Sequence, residues 1–66
     1  MQVIASIPFA LTSPEMLYHV LNTFTPEQIH SLAVQNHVKE GSVKEHTIMQ
    51  IVDCREHINA TLDILG

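Results

Sequence analysis

Apolar residues recur three or four positions apart in two stretches of the chain, which is the spacing of one face of an α-helix. They are Met16, Leu17, Val20, Leu21 and Phe24 in the first stretch, and Ile29, Leu32 and Ala33 in the second. Ser13-Pro14-Glu15 and Thr25-Pro26-Glu27-Gln28 each place an N-cap residue before a proline. Thr25 and Gln28 also have the spacing of a capping box. The pattern predicts helices over residues 13–24 and 25–38.

A third helix is predicted over residues 42–65, because this stretch contains neither glycine nor proline and opens with a second capping-box pattern. Its span from Val43 to Ile64 would be about 33 Å long at 1.5 Å per residue, whereas a compact globule of this size is about 28 Å across. The excess length predicts that a second copy covers helix three, with a monomeric three-helix bundle as the alternative. The expected self-association residues are Ile51, Cys54, Ile58, Leu62 and Leu65.

Residues 1–12 are mostly apolar and are interrupted by Pro8. Proline restricts Ile7 to extended geometry, so we expect an extended arm. The arm pairs with the same strand of a second subunit, lies extended in an apolar groove, or packs irregularly on its own helices. The predicted fold is therefore one all-α domain over residues 1–66, made of three helices with an extended N-terminal arm. An intertwined or helix-packed homodimer is expected.

Composition supports a folded chain with an acidic surface. The 66 residues are 45% hydrophobic and 15% charged, with a formal net charge of −4. This balance disfavours nucleic acids, for which basic patches supply most of the affinity, and it also disfavours anionic membranes. One cysteine excludes an intrachain disulfide. No apolar run reaches the roughly 18 residues of a membrane span, and no positive segment precedes the apolar start. We expect a cytoplasmic protein.

Five histidines raise the question of a metal site. Asp53 and His57 have a spacing of four, and Cys54 and His57 have a spacing of three, both of which occur among helical ligands. There is no HExxH motif, no paired cysteine and no glycine-rich phosphate loop. The sequence therefore predicts no catalytic residue, no metal ligand and no cofactor. A metal- or small-ligand-binding homo-oligomer that uses the helix-three histidines remains an alternative.

A DNA-binding helix-turn-helix is the other alternative, since residues 25–52 read as helix, short turn and helix. Lys44 would be the only base in the first turn of its recognition helix. Recognition helices usually present several Arg, Lys, Asn or Gln side chains, so this reading is disfavoured.

Elimination leaves protein binding as the predicted function. We expect a small acidic, non-enzymatic regulator or inhibitor, of the kind found among phage and mobile-element accessory proteins. Its target would be another protein, such as a transcription regulator or a nucleic-acid enzyme with a basic surface, which acidic side chains can block. The expected partner-binding residues combine apolar anchors with acids: Tyr18, Met49, Asp53 and Glu56.

Overall fold

The computed structural model describes residues 2–65, with the side chain of Leu65 excepted. Three helices lie between two strands along the chain. The elements are β1 (Val3–Pro8), α1 (Pro14–Leu21), α2 (Pro26–Gln35), α3 (Lys44–Asp53) and β2 (Thr61–Leu65). Single turns of 3-10 helix, Phe9–Leu11 and Arg55–His57, connect the strands to the helices.

The first two helices begin at the predicted caps. The Ser13 hydroxyl accepts a hydrogen bond from the Met16 N–H at 3.2 Å. At the second helix the capping box is complete: the Gln28 N–H donates to Thr25 Oγ1 at 3.2 Å, and the Thr25 N–H donates to Gln28 Oε1 at 2.9 Å. These bonds satisfy backbone donors that a helix leaves free at its N-terminus. Both helices end a few residues earlier than predicted, at Leu21 and Gln35.

The third helix begins without the predicted cap and ends early. Val43 occupies its N-cap position and makes no side-chain cap bond, while the Ser42 hydroxyl lies 3.3 Å from His46 Nδ1. The helix ends at Asp53. The predicted helix over residues 42–65 is therefore wrong beyond its first half.

The all-α fold class is also wrong, because residues 61–65 form a strand. Apolar and polar residues alternate around it, a period of two that places the apolar side chains on one face of a strand. The apolar members are Ile58, Ala60, Leu62 and Ile64, and the polar members are Asn59, Thr61 and Asp63. The fold is mixed: three helices with a small antiparallel sheet, not a helical bundle.

The N-terminal arm is the other strand of this sheet. β1 and β2 pair antiparallel, with Ser6 opposite Asp63 and Ile7 opposite Leu62. The register shifts between Val3 and Ala5. The Ser6 hydroxyl donates to Asp63 Oδ1 at 2.8 Å across the pair. The arm is extended, but it finds its partner strand within its own chain.

The core lies where α1 and α2 pack against α3. Its buried members come from the predicted helix faces and from both single turns of 3-10 helix or their flanks: Phe9, Leu17, Leu21, Ile29, Ile48, Ile51, Val52 and Ile58. Half-buried Tyr18, Phe24 and Leu32 pack around this cluster. No helix within residues 2–65 is both long and apolar enough to cross a membrane.

The predicted self-association residues do not share a helix face. Ile51 and Ile58 are buried in the protein's own core. Cys54, a free cysteine, is half-buried just after α3, and Leu62 lies in β2. The side chain of Leu65 is outside the described residues. The long helix that would have aligned them is not part of this fold.

Candidate functional site

An open groove of about 720 Å³ runs between α1 and α3. Its lining mixes apolar, acidic and amide side chains. Residues at and along α1 contribute one side, and the last half of α3 contributes the other: Pro14, Glu15, Tyr18, His19, Asn22, Met49, Val52 and Asp53.

Three of the four predicted partner-binding residues meet in this groove. Tyr18 comes from α1, and Met49 and Asp53 come from α3. Glu56 lies outside the groove lining, exposed in the 3-10 turn that follows α3. The packing of the two helices therefore turns three scattered positions into one surface.

The sequence argument missed the rest of the lining on α1. Glu15 and His19 lie four positions apart, as do Tyr18 and Asn22, so each pair faces the same side of the helix. Met49 and Asp53 repeat this spacing on α3. These spacings were readable, but they do not reveal which helix faces adjoin. That information comes from the packing of α1 on α3.

The side chains at the floor of the groove pack in the core, whereas Met49 at its rim is exposed to solvent. Val52 is only 8% exposed, and the half-buried Tyr18 packs against the core cluster. Met49 is 53% exposed. A flexible thioether side chain adapts to many partner shapes, so the groove combines a fixed floor with one adaptable contact.

The two carboxylates of the groove occupy opposite electrostatic positions on their helices. Glu15 lies in the first turn of α1, where the helix dipole stabilises a negative charge. Asp53 is the last residue of α3, where the dipole opposes one, at a cost of about 0.3–1 kcal/mol for an exposed group. The negative charge of Asp53 therefore destabilises its own helix.

Neither carboxylate is neutralised by a neighbouring base. Within the described part of the chain, the one ion pair joins His30 Nδ1 to Glu40 Oε1 at 2.5 Å, away from the groove. Lys44 Nζ instead donates to the Asn22 carbonyl at 2.9 Å.

Arg55 is likewise committed to a helix end, since its Nη1 donates to the Val52 carbonyl at 3.0 Å. All seven acidic residues are exposed. Lys44 and Arg55, two of the three basic residues, therefore donate to carbonyls at helix ends rather than to carboxylates.

The histidines and the cysteine do not form a common site. Because α3 ends at Asp53, the residues Asp53, Cys54 and His57 do not share one helical face. His19 lines the groove, whereas His46 lies beside Ser42. No three or more His, Cys, Asp or Glu side chains between residues 2 and 65 are arranged to hold a metal ion.

The segment that suggested a helix-turn-helix has a different geometry. Residues 36–43 separate α2 from α3, whereas the DNA-binding motif joins its helices by a turn of about three or four residues. Lys44, the one base expected at the start of the second helix, is bonded to the Asn22 carbonyl.

Comparisons with protein-family models, with curated proteins and with solved structures found no match to this chain. The function is therefore inferred from the groove and its surroundings.

Proposed function

We propose that this chain is a small acidic, non-enzymatic regulator or inhibitor that binds another protein through the α1–α3 groove. One observation carries the proposal: an apolar floor, with Met49 exposed above it, lies between two carboxylates that take no part in the one ion pair of the described residues. Exposed apolar side chains rimmed by polar groups are typical of protein-binding surfaces.

The chemistry of the groove favours a basic, amphipathic segment as the bound element. Its apolar side chains would displace water from Val52, Tyr18 and Met49, and such desolvated contacts carry most of the energy of an interface. Its lysines or arginines would lie beside Glu15 and Asp53. The net charge of −4 would speed association with such a partner at low ionic strength.

The nucleic-acid-binding surface of a transcription regulator or of a nucleic-acid enzyme has this chemistry, because it presents basic side chains to phosphates. An acidic protein seated there would block it. We therefore propose that this kind of surface is the target, and that inhibition follows from occupying it.

The proposal is tested by selecting binding peptides from a random library displayed on phage, with the full chain as bait. We expect the selected peptides to combine Lys or Arg with apolar residues. Their addition should shift the NMR signals of Tyr18, Met49 and Asp53. Selection of acidic peptides, or signal changes confined to α2, would overturn the assignment of the groove.

Met49→Ala is expected to weaken binding of a selected peptide by about thirtyfold, the effect of losing a central apolar anchor. Titration calorimetry measures the change. Val34→Ala is the matched control, because Val34 is similarly exposed at 55% but lies on α2. Equal losses for both variants would contradict the proposed surface.

Asp53→Asn is expected to stabilise the fold while weakening binding. Removal of a negative charge from the end of α3 should raise the free energy of unfolding by about 0.3–1 kcal/mol. Glu15→Gln should lower it by a similar amount, because Glu15 lies at the opposite end of its helix dipole. Urea unfolding followed by circular dichroism measures both. A loss of stability in Asp53→Asn would contradict the electrostatic argument.

The effect of Asp53→Asn on binding is measured as the association rate of the peptide at low and at high ionic strength. Asp53→Asn should reduce the association rate of the basic peptide and also reduce its dependence on ionic strength. Glu27→Gln is the control, because Glu27 is also an exposed acid, lies in the first turn of α2 and is not part of the groove. A larger effect for Glu27→Gln would place the binding surface elsewhere.

A further inference from the structure

The small sheet leaves one long edge of β1 exposed. In a two-stranded sheet each strand is paired on one side only. Val3, Ile4, Ala5, Ser6 and Pro8 are all exposed. The strand carries no charged residue, although charges are a common device for keeping a free edge from pairing. Two other such devices, a proline and a register shift, lie at its ends, at Pro8 and between Val3 and Ala5. The stretch of β1 that is open to another strand is therefore centred on Ser6.

The register shows which backbone groups face that edge. The Phe9 N–H donates to the Ala60 carbonyl at 3.0 Å, directly after the pair of Pro8 and Thr61. Bonded pairs alternate in an antiparallel ladder, so Ala5 and Ile7 direct their backbone groups towards β2. Ser6 and Pro8 direct theirs outward. Pro8 has no N–H, so its carbonyl is the one ladder group that it offers to a further strand on this edge.

We propose that β1 pairs antiparallel with β1 of a second copy of this chain, about a two-fold axis that passes beside Ser6. Each Ser6 N–H would donate to the Ser6 carbonyl of the other copy. The result is a four-stranded sheet in the order β2–β1–β1–β2. Four strands are also more stable than an isolated pair, which is marginal in water.

Charge explains why a second copy is the occupant and why β1 is the edge it uses. Self-pairing of β1 brings no like charges together, in spite of the acidic character of the chain. The nearest carboxylates on the sheet are the two copies of Asp63. They would be separated by three inter-strand spacings, or about 14 Å. This exceeds the screening length of about 8 Å at physiological ionic strength.

Pairing through β2 would have the opposite electrostatic result. Asp63 lies in the middle of β2, so a symmetric β2–β2 pair would place the two carboxylates on neighbouring strands about 5 Å apart. Like charges opposite each other destabilise a strand pair. The charge pattern therefore selects β1 for self-association.

This dimer is independent of the groove proposal, since the groove lining includes no residue of β1. It would carry two copies of the α1–α3 groove in one particle. A failure of peptide binding would leave the dimer untouched, and a monomeric chain would leave the groove untouched.

Two proline variants test the edge, because they remove equivalent backbone donors from the two strands. Ser6→Pro removes the outward N–H of β1, and Asp63→Pro removes the corresponding N–H of β2, since the two residues are opposite each other. Both variants also lose the Ser6–Asp63 side-chain bond. They therefore differ in which outer edge is blocked.

Sedimentation of the full chain over a wide concentration range should show a monomer–dimer equilibrium. Ser6→Pro should raise the dimer dissociation constant by about thirtyfold or more, because two hydrogen bonds at the axis are lost. Asp63→Pro should leave it nearly unchanged. A native chain that stays monomeric, or a dimer lost in Asp63→Pro and kept in Ser6→Pro, would overturn the proposal.

Amide hydrogen exchange of the unmodified chain tests the same contact without relying on the folding of a variant. The Ser6 amide should be protected at high concentration and should lose protection on dilution. The Ala5 amide, which faces β2, should stay protected throughout. Protection of Ser6 that does not depend on concentration would contradict pairing between two copies.

Discussion

Phe9→Ala is expected to lower the free energy of unfolding by about 3–5 kcal/mol, as is usual when a buried phenylalanine is truncated. Phe9 is 2% exposed and belongs to the central cluster. Small domains bury a modest fraction of their surface and have little stability to lose. Most molecules of this variant should therefore be unfolded, which far-ultraviolet circular dichroism and urea titration measure.

Leu11→Ala is the matched control for that experiment. Leu11 lies in the same 3-10 turn, but its side chain is 77% exposed. Its truncation should change the free energy of unfolding by no more than about 0.5 kcal/mol. Similar losses in both variants would mean that the turn, rather than the core contact of Phe9, controls stability.

Gly41→Ala is expected to have the second largest effect, a loss of about 1–3 kcal/mol from overpacking. A Cβ atom at Gly41 would lie 2.2 Å from His46 Cβ, a distance that forces the backbone to move. The Gly41 N–H also donates to Thr47 Oγ1 at 3.0 Å, and Thr47 is buried. Movement away from His46 would stretch this bond.

A double-mutant cycle isolates the clash from the other effects of the substitution. His46→Gly removes the atom that meets the new Cβ, at a cost of about 1 kcal/mol in helix propensity. The double variant Gly41→Ala/His46→Gly should therefore be less destabilised than the sum of its parts. Simple additivity in chemical unfolding would show that the contact with His46 Cβ is not the cause.

The first two helices were predictable because their signals are local. Ser13, Thr25 and Gln28 make cap bonds with groups within three residues. The apolar spacing then identifies the buried side of each helix, including Leu17, Leu21 and Ile29. Nothing distant is needed to interpret either pattern.

The end of the third helix could not be inferred from breakers alone. The absence of glycine and proline from residues 42–65 permits a helix but does not require one. The alternation from Ile58 to Ile64 favours a strand, and it was the stronger signal. The strand forms because β1 pairs with it. Ser6 of β1 donates a hydrogen bond to Asp63, which lies 57 positions further along the chain. Strand preference is decided by such neighbours more than by the segment itself.

The candidate site was partly predictable for the same reason. Exposed positions such as Met49 and Asp53 could be recognised on a single helix. The contribution of Glu15 and His19 depends on how α1 lies against α3, which is a property of tertiary packing. Composition predicts an acidic surface, but it does not predict where on that surface the candidate site lies. The location follows from the groove between α1 and α3.

The pairing of β1 with β2 also determines the order in which the chain can assemble. Closing a loop of about 57 residues costs roughly 4 kcal/mol in chain entropy, by the logarithmic dependence on length. The helices, whose contacts are closer in sequence, form with a smaller entropic cost. The sheet is therefore expected to close last, after the helices have brought its two segments together. An edge that exists only in the finished fold can recruit a second chain without the two chains exchanging segments.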